Sequence, residues 1–430
     1  MANSRLSPQK RIPGTLWVVL VLLAISVFIN YVDRGNLSIA APLLKDELGI
    51  SASKLGGLLS AFFWTYACMQ LFSGWLVDRL DVNWVMAGGF FLWSAATAAT
   101  GVVHTFTLLL ALRLLLGMGE SVAFPAYSKI IVLNFSEEHR GLANSMISAG
   151  LVLGPGFGML FGGLLMARFG WRPFFIALGL ASMLWIVPWL RWMPKKHCAP
   201  DTDMTGAPSL LEFVRLRSAW GTCVGLFCVN YVNYFLITWL PYYLVRERNF
   251  SMDKMAKIGG IAYLLGASFA TLSGWVSDRW IASGTTPSLV RKTFTGGGLA
   301  LSGILIGLTV VSGPRYCIAA LVLGVIFFGA CSSNLYAITQ TLAGARAAGR
   351  WTGFQNFVGN LAGVVAPALT GFVLERTGHF YLAFVIMTGV AVAGMGSWVF
   401  LVGPIEPVIW DRNLRAAGIS PQAPDSLAQT

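Results

Sequence analysis

The sequence predicts an all-α polytopic membrane protein, with twelve transmembrane helices in two six-helix bundles. Three observations carry that reading. The 430 residues are 56% hydrophobic and only 11% charged, with a mean hydropathy of +0.68, the composition of a chain dissolved in lipid. Apolar runs of roughly 20 residues, the length that crosses a bilayer at about 1.5 Å per residue, recur from end to end. The two halves also echo each other. Gly74-Trp75-Leu76-Val77-Asp78-Arg79 returns 200 residues later as Gly274-Trp275-Val276-Ser277-Asp278-Arg279, as expected of a transporter built from repeats that rock about a shared centre.

In chain order, residues 1–14 form a cytoplasmic segment carrying Arg5, Lys10 and Arg11. The apolar run after it continues past Asp33 to Pro42 without a short apolar core and cleavage site, so it is an uncleaved first span and not a secretory signal. Spans are expected at 15–42, 53–77, 83–103, 106–132, 141–167 and 172–192, then at 219–245, 257–277, 292–312, 315–341, 351–374 and 379–402. The break at 193–218, with Pro194, Pro200 and Pro208, is a cytoplasmic linker between an N-terminal bundle (15–192) and a C-terminal bundle (219–402). Residues 403–430 are a short, polar, mobile cytoplasmic tail. Outside the spans, seventeen Lys and Arg lie on the side of the N-terminus and ten on the other, which places both termini in the cytoplasm.

Glycines at 150, 154, 158 and 162 make a smooth strip on span five that serves close packing, rocking or both. The net charge of +12 is scattered between apolar runs and forms no stripe, so it sets topology and is no nucleic-acid footprint. The six cysteines mostly sit within apolar runs without metal-ligand spacing. His104 and His379 lie at span edges.

The charges inside the spans carry the chemistry. Asp33 and Arg34 interrupt span one, and Arg113 and Glu120 interrupt span four. An ionisable side chain at the bilayer centre costs roughly 2.5–3.5 kcal/mol on insertion scales, so such residues face a protein interior or a wet cavity. Arg113 and Glu120 are seven residues, about 10 Å, apart on one helix face and each needs another partner. Counted from span ends at Pro42 and Phe106, Arg34 and Arg113 stand at comparable depth with Asp33 beside them, and Glu120 stands deeper. The four can be a closed structural quartet, or a site where a substrate anion displaces an internal pair. Buried pairs are weak stabilisers, which favours the site. Arginine stays charged and its planar fork fits a carboxylate, so Arg34 and Arg113 are the anion-binding candidates. Asp33 and Glu120 titrate, and burial and a neighbouring arginine act on a carboxyl group in opposite senses, so these two are the proton carriers. Tyr31, Tyr66, Asn230, Tyr234, Ser332, Gln355, Asn356 and Asn360 are candidates to hydrogen-bond a hydroxylated substrate, with interhelical bonding as the alternative for each. Gln355, Asn356 and Asn360 put three amides within two turns of one helix.

Taken together, Asn30-Tyr31-x-Asp33-Arg34 with Pro42, Arg113-x3-Gly117-x-Gly119-Glu120 with Phe124-Pro125, Phe62-Phe63-Trp64-x-Tyr66 and Arg140-Gly141 resemble the major facilitator superfamily. More narrowly they resemble its anion:cation symporter family, which holds bacterial sugar-acid permeases (galactonate, hexuronate, glucarate), sialin and the vesicular glutamate transporters. The resemblance covers nearly all twelve spans. It implies proton coupling through Asp33 and Glu120, and anion recognition through Arg34 and Arg113. It also implies a cavity lined by Tyr66 and Asn356, and a conformational latch at Gly74, Asp78 and Arg79 that the second half repeats at Gly274, Asp278 and Arg279. Asp81 and Asn83 stand where the latch motif usually has glycine and a basic residue. Span seven carries no arginine, and Leu59 fills a position that is histidine in the glutamate transporters, which points to a bacterial permease for a hydroxylated acid.

The expectation is therefore a proton-coupled symporter importing a sugar acid or related organic carboxylate by alternating access, as a monomer, across the inner (cytoplasmic) membrane. It needs no cofactor beyond the proton as coupling ion, and its partners are the small organic anion, protons and the lipid bilayer. An organic anion exchanger without proton coupling and a transporter-like sensor that binds without translocating are the alternatives. The intramembrane set holds no nucleophile–base pair or metal cluster, so no enzyme is expected.

Overall fold

The computed structural model describes residues 13–135, 137–193, 210–408 and 410. Among them, nine helical stretches are long and apolar enough to cross a membrane. Ala52–Arg79, Val82–Thr100 and the run Pro287–Lys292 through Gly298–Leu308 complete the expected twelve.

Local chemistry sets the helix ends. Ser51, Thr105 and Ser251 accept backbone N–H bonds from Lys54, Leu108 and Lys254, capping spans two, four and eight. Gly49 (φ 58°) and Gly378 (φ 73°) close spans one and eleven in the left-handed conformation that glycine adopts without strain. Proline sets the breaks inside spans. Pro125 has no N–H for the Ser121 carbonyl, and span four divides at Val122 into Phe106–Ser121 and Ala123–Asn134. Pro188 does the same to span six, which divides at Leu184–Trp185. Gly344 (φ 64°, ψ 176°) turns the chain from span ten into span eleven.

Three segments depart from the expected bounds. Span one is a helix from Gly14 to Leu48, so it does not stop at Pro42. Most of the linker, 194–209, lies outside the described residues, but its end forms a short helix, Leu210–Val214. The beginning of the tail is docked: the Val408 amide donates to Leu342 O (2.8 Å) and Trp410 Nε1 to Ala343 O (2.8 Å). There Trp410 meets Phe213 and Trp351 ring to ring, because an indole offers apolar area and one donor that the turn after span ten satisfies.

Span one packs on span five, two on four, three on six, seven on eleven, eight on ten and nine on twelve. The bundles meet where span two faces eleven, five faces eight and one faces seven. The glycine strip of span five serves packing within its own bundle: a Cβ on Gly150 or Gly154 would lie 2.7 Å from Ala24 O or 2.6 Å from Tyr31 Cβ of span one. Span five meets span eight through Met159 and Leu160, against Gly259 and Gly260. At the end marked by Leu48 the bundles are tied. Arg246 donates to Pro42 O (2.9 Å) and pairs with Asp46, and Glu375 accepts from the Ser53 amide (2.7 Å). Gly56 there leaves no room between spans two and eleven, since its Cβ would sit 2.6 Å from Pro367 O.

Candidate functional site

Spans one and four place all four charged residues inside the N-terminal bundle. Asp33, Arg113 and Glu120 are buried, and the Arg34 side chain is 8% exposed. Arg34 Nε donates to Glu120 Oε2 at 3.0 Å, the ion pair at the centre of the site.

This pairing corrects the expected depths. From the real end of span one at Leu48, Arg34 is fourteen residues in, and from Phe106, Glu120 is also fourteen residues in. Both lie about 21 Å down their helices, level with each other. Arg113, seven residues from Phe106, is nearer the Leu48 end. Ending span one at Pro42 had brought Arg34 too close to that end. Proline removes one hydrogen bond, to Ser38 O, and here the helix continues through it.

The guanidinium of Arg34 lies in an aromatic box, with its carbon 4.6 Å from the centroid of Tyr31, 4.5 Å from Tyr66 and 5.4 Å from Phe62. Such faces attract a desolvated cation by about 0.5–2 kcal/mol each, so Arg34 is held by more than its carboxylate. Arg113 also lies over Phe62, its guanidinium carbon 6.0 Å from the ring centre. Gly117 makes this convergence possible, because a Cβ there would collide with Phe62 O and Thr65 Oγ1. Asp33 lies among Glu120, Arg113, Thr97 and Asn36. Neither of its carboxylate oxygens accepts a hydrogen bond within standard geometry, and Arg113 Nε donates none, among the described residues. Among the described residues the quartet is thus one close ion pair, with Asp33 and Arg113 near each other but not paired within 4 Å, an arrangement that can exchange ligands.

The box reaches across to the C-terminal bundle. Phe63 packs on Tyr234 at 4.3 Å between centroids, and the Tyr234 hydroxyl donates to Asn360 Oδ1 at 2.7 Å. Tyr336 donates to Asn356 Oδ1 at 3.0 Å and lies near Tyr31 and Tyr66. The structure therefore brings Tyr31, Tyr66, Tyr234, Asn356 and Asn360 together around Arg34. Asn230 is half-buried against Gly359, and the exposed Ser332 donates one turn back to Gly329 O.

Gln355 does not join them. It is fully buried in the C-terminal bundle, accepting from Thr339 (2.7 Å) and donating to Thr222 O (3.3 Å). Asn356 and Asn360 are four residues apart and share a helix face, whereas Gln355 is turned about 100° from Asn356.

Of the latch residues, a Cβ on Gly74 would meet nothing within 4 Å among the described residues, and one on Gly274 would lie 3.8 Å from Ser333 Cβ. Arg79 and Arg279 are exposed and each lies over the tryptophan four residues back, Trp75 at 5.8 Å and Trp275 at 4.4 Å, so the internal repeat extends to side-chain geometry. Asp278 is exposed, and the side chain of Asp78 lies outside the described set.

Sequence reasoning passed over Tyr336, Thr97 and Asn36, and met Phe62 only within a family motif, with no role in the site. None is charged, and a tyrosine or amide in an apolar helix is an ordinary interhelical group.

Comparison with known proteins fits this geometry. The model of the Major Facilitator Superfamily matches residues 23–367. The chain is 28% identical over 441 residues to the probable galactarate/D-glucarate transporter of Bacillus subtilis (strain 168), covering 94% of this chain and 95% of that one. It is 29% identical to the hexuronate transporter of the same organism, over 90% and 94% of the two chains. It is 30% identical to the probable sulfoacetate transporter of Cupriavidus necator, over 92% and 95%. Among solved structures, a bacterial homologue of the human lysosomal transporter Spinster, in an inward-facing and unoccupied conformation, superposes with a TM-score of 0.75 at 19% identity, over 91% of this chain and 95% of that one.

Proposed function

We propose, on the premise that this chain belongs to the Major Facilitator Superfamily, that it imports a small organic carboxylate of the sugar-acid class together with protons, by alternating access. Membership makes it a multi-pass membrane transporter and not an enzyme. The substrate class rests on its relatives, which carry anions with carboxylate or sulfonate groups.

The single observation that supports the mechanism is the buried Arg34–Glu120 pair inside its aromatic box. While Glu120 is ionised, it occupies the guanidinium that a substrate anion would need. A proton on Glu120 removes that competition, Arg34 takes the substrate carboxylate, and Asn356, Asn360 and the surrounding tyrosines receive its hydroxyls. With both termini in the cytoplasm, the tied Leu48 end is the outer one, and the bundles rock apart there to admit substrate and close again to release it inward. Loss of the proton to the cytoplasm restores the ion pair and expels the anion.

The test is uptake by proteoliposomes, acidic outside, of galactarate, glucarate, galactonate, a hexuronate and sulfoacetate. The expected result is accumulation of at least one acid, abolished by a protonophore. Exchange of internal for external acid that is indifferent to the pH gradient would refute the proton coupling.

A further inference from the structure

Between the bundles, on the Leu48 side of Arg34, lies a crevice of about 20 Å³ lined by Tyr31, Arg34, Gly35, Ile39, Pro155, Met159, Ile237 and Tyr263. That is room for a single water-sized atom. Most of the wall is apolar, yet two of the residues lining it carry a buried polar atom that has no hydrogen-bond partner among the described residues: Arg34 Nη2 and the Tyr263 hydroxyl. A hydroxyl left in that state costs about 1–3 kcal/mol, and a charged donor more. Tyr263 cannot easily swing away to satisfy itself. Its neighbours Gly259, Gly260 and Leu264 are pressed on Met159, Leu160 and Gly156 of span five, and this fixes the stretch of span eight that carries the ring. Both unpartnered groups are donors, and an apolar niche with two donors fits one oxygen that only accepts, as in a carboxylate or sulfonate.

We infer that Tyr263 is the C-terminal bundle's contact with the acidic group of the substrate, sharing one acidic oxygen with Arg34 of the N-terminal bundle. The inference rests on the reading above and deepens it by adding a specificity-determining residue to the same site. It also gives the anion a mechanical role. Arg34 alone holds the acidic group to one bundle, whereas Arg34 and Tyr263 together require both bundles to stand at the distance seen here. The anion then ties spans one and eight, so the loaded protein closes on its outer side more readily than the empty one.

Tyr263→Phe removes the one oxygen and keeps the ring. The measurements are counterflow and the ligand-induced rise in melting temperature, with D-galactonate as the first probe and the other acids of the panel after it. A hydrogen bond to a charged group corresponds to roughly a ten- to hundred-fold change in affinity, so the half-saturation concentration should rise by at least about ten-fold. The ligand-free melting temperature should be unchanged or higher, because no existing bond is lost. A half-saturation within two-fold of the parent, while Arg34→Ala loses binding, overturns the inference and leaves the transport reading standing. A lower ligand-free melting temperature with unchanged half-saturation assigns Tyr263 to packing and overturns it equally. Binding that survives Arg34→Ala overturns both.

Discussion

Replacing Glu120 by Gln tests the centre of the mechanism. The substitution keeps the shape of the side chain and an oxygen that accepts from Arg34 Nε, but it fixes the group in a neutral state. The pair it alters is 3.0 Å long, with Glu120 inaccessible and Arg34 nearly so. Breaking a buried pair by removing one charge costs about 3–5 kcal/mol, chiefly because the other charge is left uncompensated. Three aromatic faces at 4.5–5.4 Å return about 0.5–2 kcal/mol each, so Arg34 should stay in place, still charged and short of a counter-ion. A substrate carboxylate meets that need. If only about 1.4 kcal/mol of the lost pairing is recovered through it, the affinity rises ten-fold. In proteoliposomes, Glu120→Gln should bind the transported acid about ten-fold more tightly at neutral pH and sustain counterflow. A pH gradient should no longer drive accumulation. Undiminished pH-driven accumulation would show that the coupling proton is carried by a group other than Glu120, and would refute the mechanism drawn from the Arg34–Glu120 pair.

Four further substitutions test the scaffold and the second carboxylate. Gly117→Ala sets a methyl group against Phe62 O and Thr65 Oγ1. The overpacking should lower stability by about 1–3 kcal/mol, read as a lower melting temperature in detergent, and an unchanged value would contradict the packing of spans two and four. Gly56→Ala places its Cβ 2.6 Å from Pro367 O and 3.0 Å from Gly371 Cα, wedging the tied end. With Ile39→Cys as reporter in a Cys68→Ser background, outside thiol labelling should accelerate. Arg246→Ala removes a partly exposed ion pair and one carbonyl bond, worth about 1 kcal/mol, so the outward-open population should rise about five-fold in the same labelling assay. Asp33→Asn should slow maximal transport at least ten-fold while the half-saturation moves less than about three-fold. A large loss of affinity would place Asp33 on the substrate.

Much of this was legible in the sequence, because a bilayer makes charge conspicuous. Asp33, Arg34, Arg113 and Glu120 stood out against apolar neighbours, and the repeated Gly-Trp…Asp-Arg stretch announced two related halves. What the sequence hid was register. Whether Arg34 stood level with Arg113 or with Glu120 depended on six residues at the end of span one, and Pro42 is as compatible with a helix that continues as with one that stops. The three amides of span eleven looked like one cluster by spacing along the chain, but 100° of helical rotation buries Gln355 and leaves Asn356 and Asn360 on the shared face. Tyr263 and Tyr336 gave no signal, since only the packing of spans eight and ten decides whether their hydroxyls meet a carbonyl, a neighbour or an unfilled niche.

The same rotation separates the two acids. Asp33 and Arg34 are consecutive, so their side chains leave span one about 100° apart. Arg34 goes to the box shared with span two and the crevice toward span eight. Asp33 turns toward Thr97 of span three and Arg113 of span four, inside the N-terminal bundle. A proton on Glu120 changes what Arg34 can bind, because the two atoms touch. A proton on Asp33 changes the balance between Arg113 and its own bundle, and reaches the substrate through the nearby charges of Glu120 and Arg113. Two carboxyl groups one turn from a single guanidinium would be redundant. In the proposed cycle the two acids divide the work: Glu120, on the guanidinium itself, governs whether the anion is held, and Asp33, turned about 100° away on span one, bears on how the helices that hold it are set.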